Sequence, residues 1–175
     1  MAKWFAKIHK FAGMSEELII TGETKEKKYQ QLLPQIKALV DDEDSTLANL
    51  GNICAALKSA MDFFWVGFYI VRGEQLVLGP FQGPVACTRI SQGKGVCGKS
   101  WEQGETIIVD DVEKFPGHIA CNAASKSEIV IPMFDQHGSV IAVLDIDSDK
   151  YNSFYETDEN YLKQILSLKE VTFNI

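Results

Sequence analysis

Residues 127–147 read SEIVIPMF-DQHG-SVIAVLDID: an apolar run over Ser127–Phe134, a polar turn over Asp135–Gly138, and a second apolar run over Ser139–Asp147. Two runs of β-branched residues joined by so short a turn predict an antiparallel hairpin. Period two puts Asp145 and Asp147 on one face of the second strand. The antiparallel return brings Glu128, near the start of the first strand, to the same end. Three carboxyl groups on one patch raise one another's pKa, which suits either a protonated acid donor or a site for an ammonium group. Solvated strand-end acids are the plainer alternative.

A second period-two segment lies upstream. Trp65–Arg72 reads as a strand, Gly73-Glu74 as a tight turn and Gln75–Leu78 as its hairpin partner. Trp65 and Tyr69 share one face of that strand with Phe63 and Gly67, either as core or as one wall of a small apolar pocket. Pro80, Gly83 and Pro84 then break the chain, and Ala86–Ile90 predicts a third short strand. A short helix follows over residues 95–103, and Thr106–Val109 is a fourth strand. Residues 110–126 read as a loop, long enough to suggest function. Helical spacing predicts a helix over residues 24–40, which Pro34 should kink or split into a new segment, and a second capped by Ser45 and ending near Met61. A last helix covers Thr157 to Leu166. Hairpins with helices gathered before and after them make an α+β domain with a mostly antiparallel sheet.

Composition narrows the function. The chain has 175 residues, 46% of them hydrophobic, enough for one domain with its own core. Lysine and arginine number 17 against 24 acids, a net charge of −7. Residues 1–13 hold Lys3, Lys7 and Lys10 and no acid, so the remainder is more acidic still. An acidic body without a basic stripe argues against nucleic acid as a partner. No apolar run is long enough for a transmembrane helix, and the basic, amphipathic residues 1–13 lack the apolar stretch of a secretory signal. A cytosolic protein is expected.

In that compartment Cys54, Cys87, Cys97 and Cys121 are expected to be free, redox-active or metal-binding rather than permanently bridged. Cys54 lies in the apolar stripe of its helix and reads as core. Cys121 lies in a loop of small and polar residues, where reactive thiols are placed. Cys87 and Cys97 sit at the junctions of loops and elements, and thiol–disulfide exchange follows if loops bring these sulfurs together. Zinc ligands come in close pairs, whereas these cysteines are widely spaced and His9, His118 and His137 are scattered, which argues against a structural zinc. His118 reads as a solvated loop residue.

Five segments in order carry a resemblance: Trp65-Val66-Gly67-Phe68-Tyr69, Leu78-Gly79-Pro80-Phe81-Gln82-Gly83, Gly93-Lys94-Gly95-Val96-Cys97-Gly98, His118-Ile119-Ala120-Cys121 and Leu144-Asp145-Ile146-Asp147-Ser148. Together they resemble the free methionine-(R)-sulfoxide reductases, single GAF-domain enzymes, over about residues 24–166. The resemblance implies a GAF-like central antiparallel sheet with helices packed on one face and a ligand pocket on the other, with residues 14–175 as the domain and 1–13 as an extension. It implies thiol-dependent reduction of free L-methionine (R)-sulfoxide, with no metal and no organic cofactor. Cys121 matches the nucleophile, Cys87 the cysteine that resolves it through a disulfide, and Cys97 an auxiliary or alternative resolving cysteine. Trp65 and Tyr69 match pocket positions, and Glu128, Asp145 and Asp147 match acids that hold the ammonium and assist the sulfoxide oxygen. Thioredoxin or a similar dithiol is implied as reductant, and a homodimer as the assembly. The competing class is a GAF binding module for a cyclic nucleotide or another signal. Asn152-Ser153-Phe154-Tyr155-Glu156 faintly resembles the Asn-Lys-Phe-Asp-Glu run of such modules, with Ser153 and Tyr155 replacing its lysine and aspartate.

Overall fold

The structure is a computed structural model that describes residues 17–41, 43–119, 121–168 and 171. The expected extension over residues 1–13 lies outside the described residues. Two helices lead the chain, α1 (Lys25–Val40) and α2 (Thr46–Met61). Strands β1 (Trp65–Arg72), β2 (Gln75–Gln82) and β3 (Arg89–Ser91) follow, then α3 (Gly95–Gln103), β4 (Ile107–Val109) and a 3-10 turn at Val112–Lys114. Strands β5 (Ser127–Phe134) and β6 (Val140–Ser148) and helix α4 (Glu156–Leu166) complete it. One antiparallel sheet holds all six strands in the order β3-β2-β1-β6-β5-β4.

The two hairpins meet at the centre, where β1 pairs with β6 from Trp65↔Asp147 to Ile70↔Ala142. Alternation then sorts the side chains. Val66, Phe68, Leu144, Ile146, Ile129 and Ile131 face the helices α1, α2 and α4 and form the larger core. Trp65, Tyr69, Val143 and Val130 point the other way, toward α3 and the loops. The expected layering is therefore present, with the short α3 added on the face opposite the three longer helices.

Three local expectations change. Helix α1 runs through Pro34 as one element, capped by Thr24, whose side chain accepts from Lys27 N. Strand β2 continues through Pro80 to Gln82, because a bulge sets Phe68 of β1 against both Gly79 and Pro80. A bulge leaves a residue out of the ladder, which is where a proline without an N–H is tolerated. With β2 lengthened, β3 shifts to Arg89–Ser91 from the expected Ala86–Ile90.

Asp158 ties the first helix to the last. It is fully buried and accepts from Tyr29 OH at 2.8 Å, from Lys25 Nζ at 2.8 Å and from Tyr155 N at 3.0 Å, the last capping α4. Lys25 also bonds the Ser153 carbonyl and lies over the Tyr155 ring, 4.5 Å from its centroid. The Asn152–Glu156 segment is thus spent on structure, with Phe154 in the helix-face core. Asp158→Ala strands a buried hydroxyl and a half-buried ammonium, so it should lower stability by about 3 kcal/mol, read as a fall in the urea midpoint at unchanged slope.

Candidate active site

The pocket lies on the sheet face opposite α1, α2 and α4. Its floor comes from β1, β5 and β6, and its mouth from the segment before β3 and the loop before β5. Trp65, Tyr69, Cys97, Cys121, Glu128, Asp145 and Asp147 all line it. The space inside is about 40 Å³, room for roughly three water molecules.

The aromatic wall is locked from several sides. Trp65 donates its indole N–H to the Pro84 carbonyl at 3.0 Å and stacks on Phe81 at 5.6 Å and on Tyr69 at 6.0 Å. Gly67 makes that packing possible, since a Cβ there would sit 2.2 Å from the Trp65 ring. Tyr69 donates its hydroxyl to the Cys87 carbonyl at 2.9 Å, which ties the Cys87 segment to the centre of the sheet.

Cys87 and Cys121 are joined by a disulfide, with Cα atoms 5.4 Å apart and a sequence separation of 34. This is the pairing the resemblance implies. Cys121 sits in a tight local turn, its N–H bonded to the Ile119 carbonyl at 2.9 Å. Cys121 is half-buried and lines the pocket with Val85, which is 85% exposed, and Ile119, whereas Cys87, also half-buried, is joined to it by the disulfide without lining the pocket itself. Cys54 and Cys97 are free and buried. The sequence expectation put Cys97 at a loop junction; in the structure it lies in the first turn of α3, facing the acids.

The acids gather as the hairpin predicts, with Glu128 paired to Asp147 in the ladder and Val130 to Asp145. Cys97 Sγ lies 3.9 Å from Glu128 Oε1. Asp145 is 6% exposed, and its Oδ1 has no hydrogen-bond partner. Burial, then the charge of Asp145 followed by that of Asp147, pushes Glu128 well up. Burial, followed by the charge of Asp147, pushes Asp145 well up, and burial raises Asp147 to about 6 against a bond from Ser125. Burial and the neighbouring acids likewise push the Cys97 thiol well up. This end of the pocket therefore keeps protons to higher pH than exposed acids do, and its carboxyl oxygens face an incoming cationic group.

His118 departs from expectation. Its side chain is only 16% exposed, lines the pocket and places Nε2 3.9 Å from Glu128 Oε2, while burial lowers its pKa. Ser125, which bonds Asp147 and lines the pocket, is a further residue the sequence does not single out. A neighbour three positions from Cys121 was the available signal for His118, but only the return of the loop onto the sheet makes it a wall residue.

Known proteins match this arrangement. A GAF-domain family model matches residues 41–169. The chain is 60% identical over 156 residues to GAF domain-containing protein A of Dictyostelium discoideum, covering 89% of this chain and 98% of that protein. It is 43% identical over 152 residues to the free methionine-R-sulfoxide reductase of Saccharomyces cerevisiae, covering 82% and 84% of the two chains. The X-ray structure of the Neisseria meningitidis free methionine-R-sulfoxide reductase in complex with its substrate superposes with a TM-score of 0.87 at 46% identity, covering 90% of this chain and 96% of that one.

The acid cluster sets a pH dependence. Asp147 carries its proton to about pH 6 when folded, against an ordinary value of 3.8. Its stabilising contribution is therefore complete below 3.8 and lost as pH rises through about 6. Glu128 and Asp145, both pushed up, act in the same direction. The melting temperature should fall as pH rises across this window. Asp147→Asn should flatten the fall and melt higher than the parent at neutral pH, by roughly 2–4 °C for each kcal/mol of repulsion removed.

Proposed function

The chain belongs to the free methionine-(R)-sulfoxide reductases of the GAF-domain family, and from that premise we propose that it reduces free L-methionine (R)-sulfoxide to methionine through Cys121. The observation that carries the mechanism is the Cys87–Cys121 disulfide at the mouth of a pocket that is acidic at one end and aromatic at the other. A binding module has no use for that disulfide, and the segment that resembles a cyclic-nucleotide motif serves the helix-face core.

Sulfoxide sulfur becomes electrophilic when its oxygen is protonated or strongly hydrogen-bonded. The Cys121 thiolate attacks that sulfur while one of the protonated acids delivers a proton to the oxygen. The hydroxyl then passes to the Cys121 sulfur as the substrate S–O bond and the new S–S bond break, the substrate sulfur keeps the electron pair as methionine leaves, and Cys121 becomes a sulfenic acid. The Cys87 thiol then condenses with it, releasing water and forming the disulfide. A dithiol partner of thioredoxin type attacks the disulfide and is itself oxidised, returning both thiols. Glu128, Asp145 and Asp147 divide the tasks of holding the ammonium and supplying the proton, and Trp65 and Tyr69 wall the S-methyl group. Cys97 stays in reserve as the auxiliary cysteine. Opening the disulfide frees the Cys121 thiol at the pocket it lines, where the proposed attack takes place. In this proposal residues 14–175 act as one domain, paired as a homodimer, in a reducing compartment. Among the described residues no helix is long and apolar enough to cross a membrane.

Cys121→Ser should lower methionine production from the free (R)-sulfoxide by at least about 1000-fold in a thioredoxin-coupled assay, with the (S)-epimer inert throughout. Turnover retained in that variant sinks the assignment. Cys87→Ser should release about one equivalent of methionine and then stall, leaving a sulfenic acid that a dimedone probe traps. Sustained parental turnover in Cys87→Ser would remove Cys87 from the cycle.

A further inference from the structure

Cys97 is the one cysteine of the pocket that the disulfide leaves free, and the fold aims it at two buried acids. One donor atom each from Cys97, Glu128 and Asp145 lies within 4.8 Å of the others. A tetrahedral zinc with bonds of about 2.0–2.3 Å holds its ligand atoms roughly 3.3–3.8 Å apart. The Cys97–Glu128 distance of 3.9 Å lies just outside that span, and small side-chain rotations close it and bring in Asp145. Two further observations point to a ligand rather than to a chance cluster of acids. Asp145 Oδ1 is buried without a hydrogen-bond partner. The only ion-pair partner of Glu128 among the described residues is His118, a neutral or charged nitrogen donor on the same wall.

We propose that the inner end of the pocket binds a thiophilic divalent cation, zinc or cadmium, through Cys97 Sγ, Glu128 and Asp145, and that the cation competes there with the substrate ammonium. A sulfur ligand beside two carboxylates selects such ions over magnesium or calcium, which take oxygen alone. On binding, the Cys97 S–H bond breaks, its proton passes to water and a sulfur–metal bond forms; nothing is oxidised or reduced. Water takes the fourth position, with His118 adjacent. The sequence spacing argues against a structural zinc, and the proposed site is a regulatory one, because its three ligands all line the substrate pocket. The ion acts as an inhibitor that senses free zinc or cadmium. The competition rests on the proposed ammonium-binding role of Glu128 and Asp145; the metal site stands on geometry alone.

The oxidised full-length protein gives a direct test, because its disulfide leaves Cys54 and Cys97 as the only thiols. Cadmium titration should develop a thiolate-to-cadmium charge-transfer band that saturates at one equivalent. Cys54→Ser should keep the band and Cys97→Ser should lose it. Asp145→Asn should keep it with affinity lowered at least about tenfold, the floor set by losses in the outer shell of metal sites, and this variant decides the matter if Cys97→Ser fails to fold. No band, a band that survives Cys97→Ser, or affinity unchanged by Asp145→Asn overturns the proposal. Free methionine titrated into a Cys87→Ser/Cys121→Ser variant, which has no disulfide and keeps Cys97, should weaken cadmium binding. A Cys97-dependent band that methionine does not shift keeps the metal site and overturns the competition, whatever the reductase assay shows.

Discussion

Three carboxyl groups and a thiol share one desolvated pocket, where burial and mutual repulsion outweigh any neighbouring positive charge. Everything distinctive about the molecule follows from making that arrangement tolerable. Ionised carboxylates at such spacing repel, and burial penalises each charge again, so the cluster retains protons that exposed acids lose. In the proposed reaction such a pocket attracts the substrate ammonium, which supplies a positive charge, and holds a proton for the oxygen that leaves. One electrostatic arrangement would then serve both binding and proton delivery, at a cost in folded stability that the rest of the domain offsets.

The offset comes from the other face of the same strands. In β6, Ala142, Leu144 and Ile146 enter the core under the helices, while Val143, Asp145 and Asp147 face the pocket. In β1, Val66 and Phe68 face the helices while Trp65 and Tyr69 face the pocket. Burying a large aliphatic or aromatic side chain contributes about 1.5–3 kcal/mol, so each residue of the acidic face has a stabilising neighbour one position away. A one-residue slip of register would exchange the two sets. Fold stability and site geometry are for this reason inseparable in the central strands.

This coupling also explains what is legible in the chain. Both hairpins are local and their turns are spelled out, so period and register alone bring Glu128, Asp145 and Asp147 together. The pairing of β1 with β6 joins segments some eighty positions apart, and no local pattern announces it; it is what places Trp65 and Tyr69 beside those acids. Pro80 misleads because a proline breaks most strands, and only the bulge opposite Phe68 makes room for it. His118 misleads for a related reason. A polar residue in a long loop is ordinarily solvated, and its burial depends on a loop path that sequence periodicity does not encode.

The placement of the cysteines resolves a conflict within the proposed chemistry. The field that keeps the acids protonated also keeps a nearby thiol protonated, and a protonated thiol is a poor nucleophile. Cys97 shows the effect: enclosed by Glu128 and Asp145, it is held as a thiol and is fitted for metal capture, where a cation displaces the proton. Cys121 stands instead in the loop before β5, half-exposed and outside the Cys97–Glu128–Asp145 cluster. In the proposed reaction its position matters in two ways. It approaches the sulfoxide sulfur held by the aromatic wall, and it reaches Cys87, whose backbone is held by Tyr69. A nucleophile fixed among the acids would have the proton donor close by and no thiolate to use; one on the rim has both, because the substrate spans the gap between them.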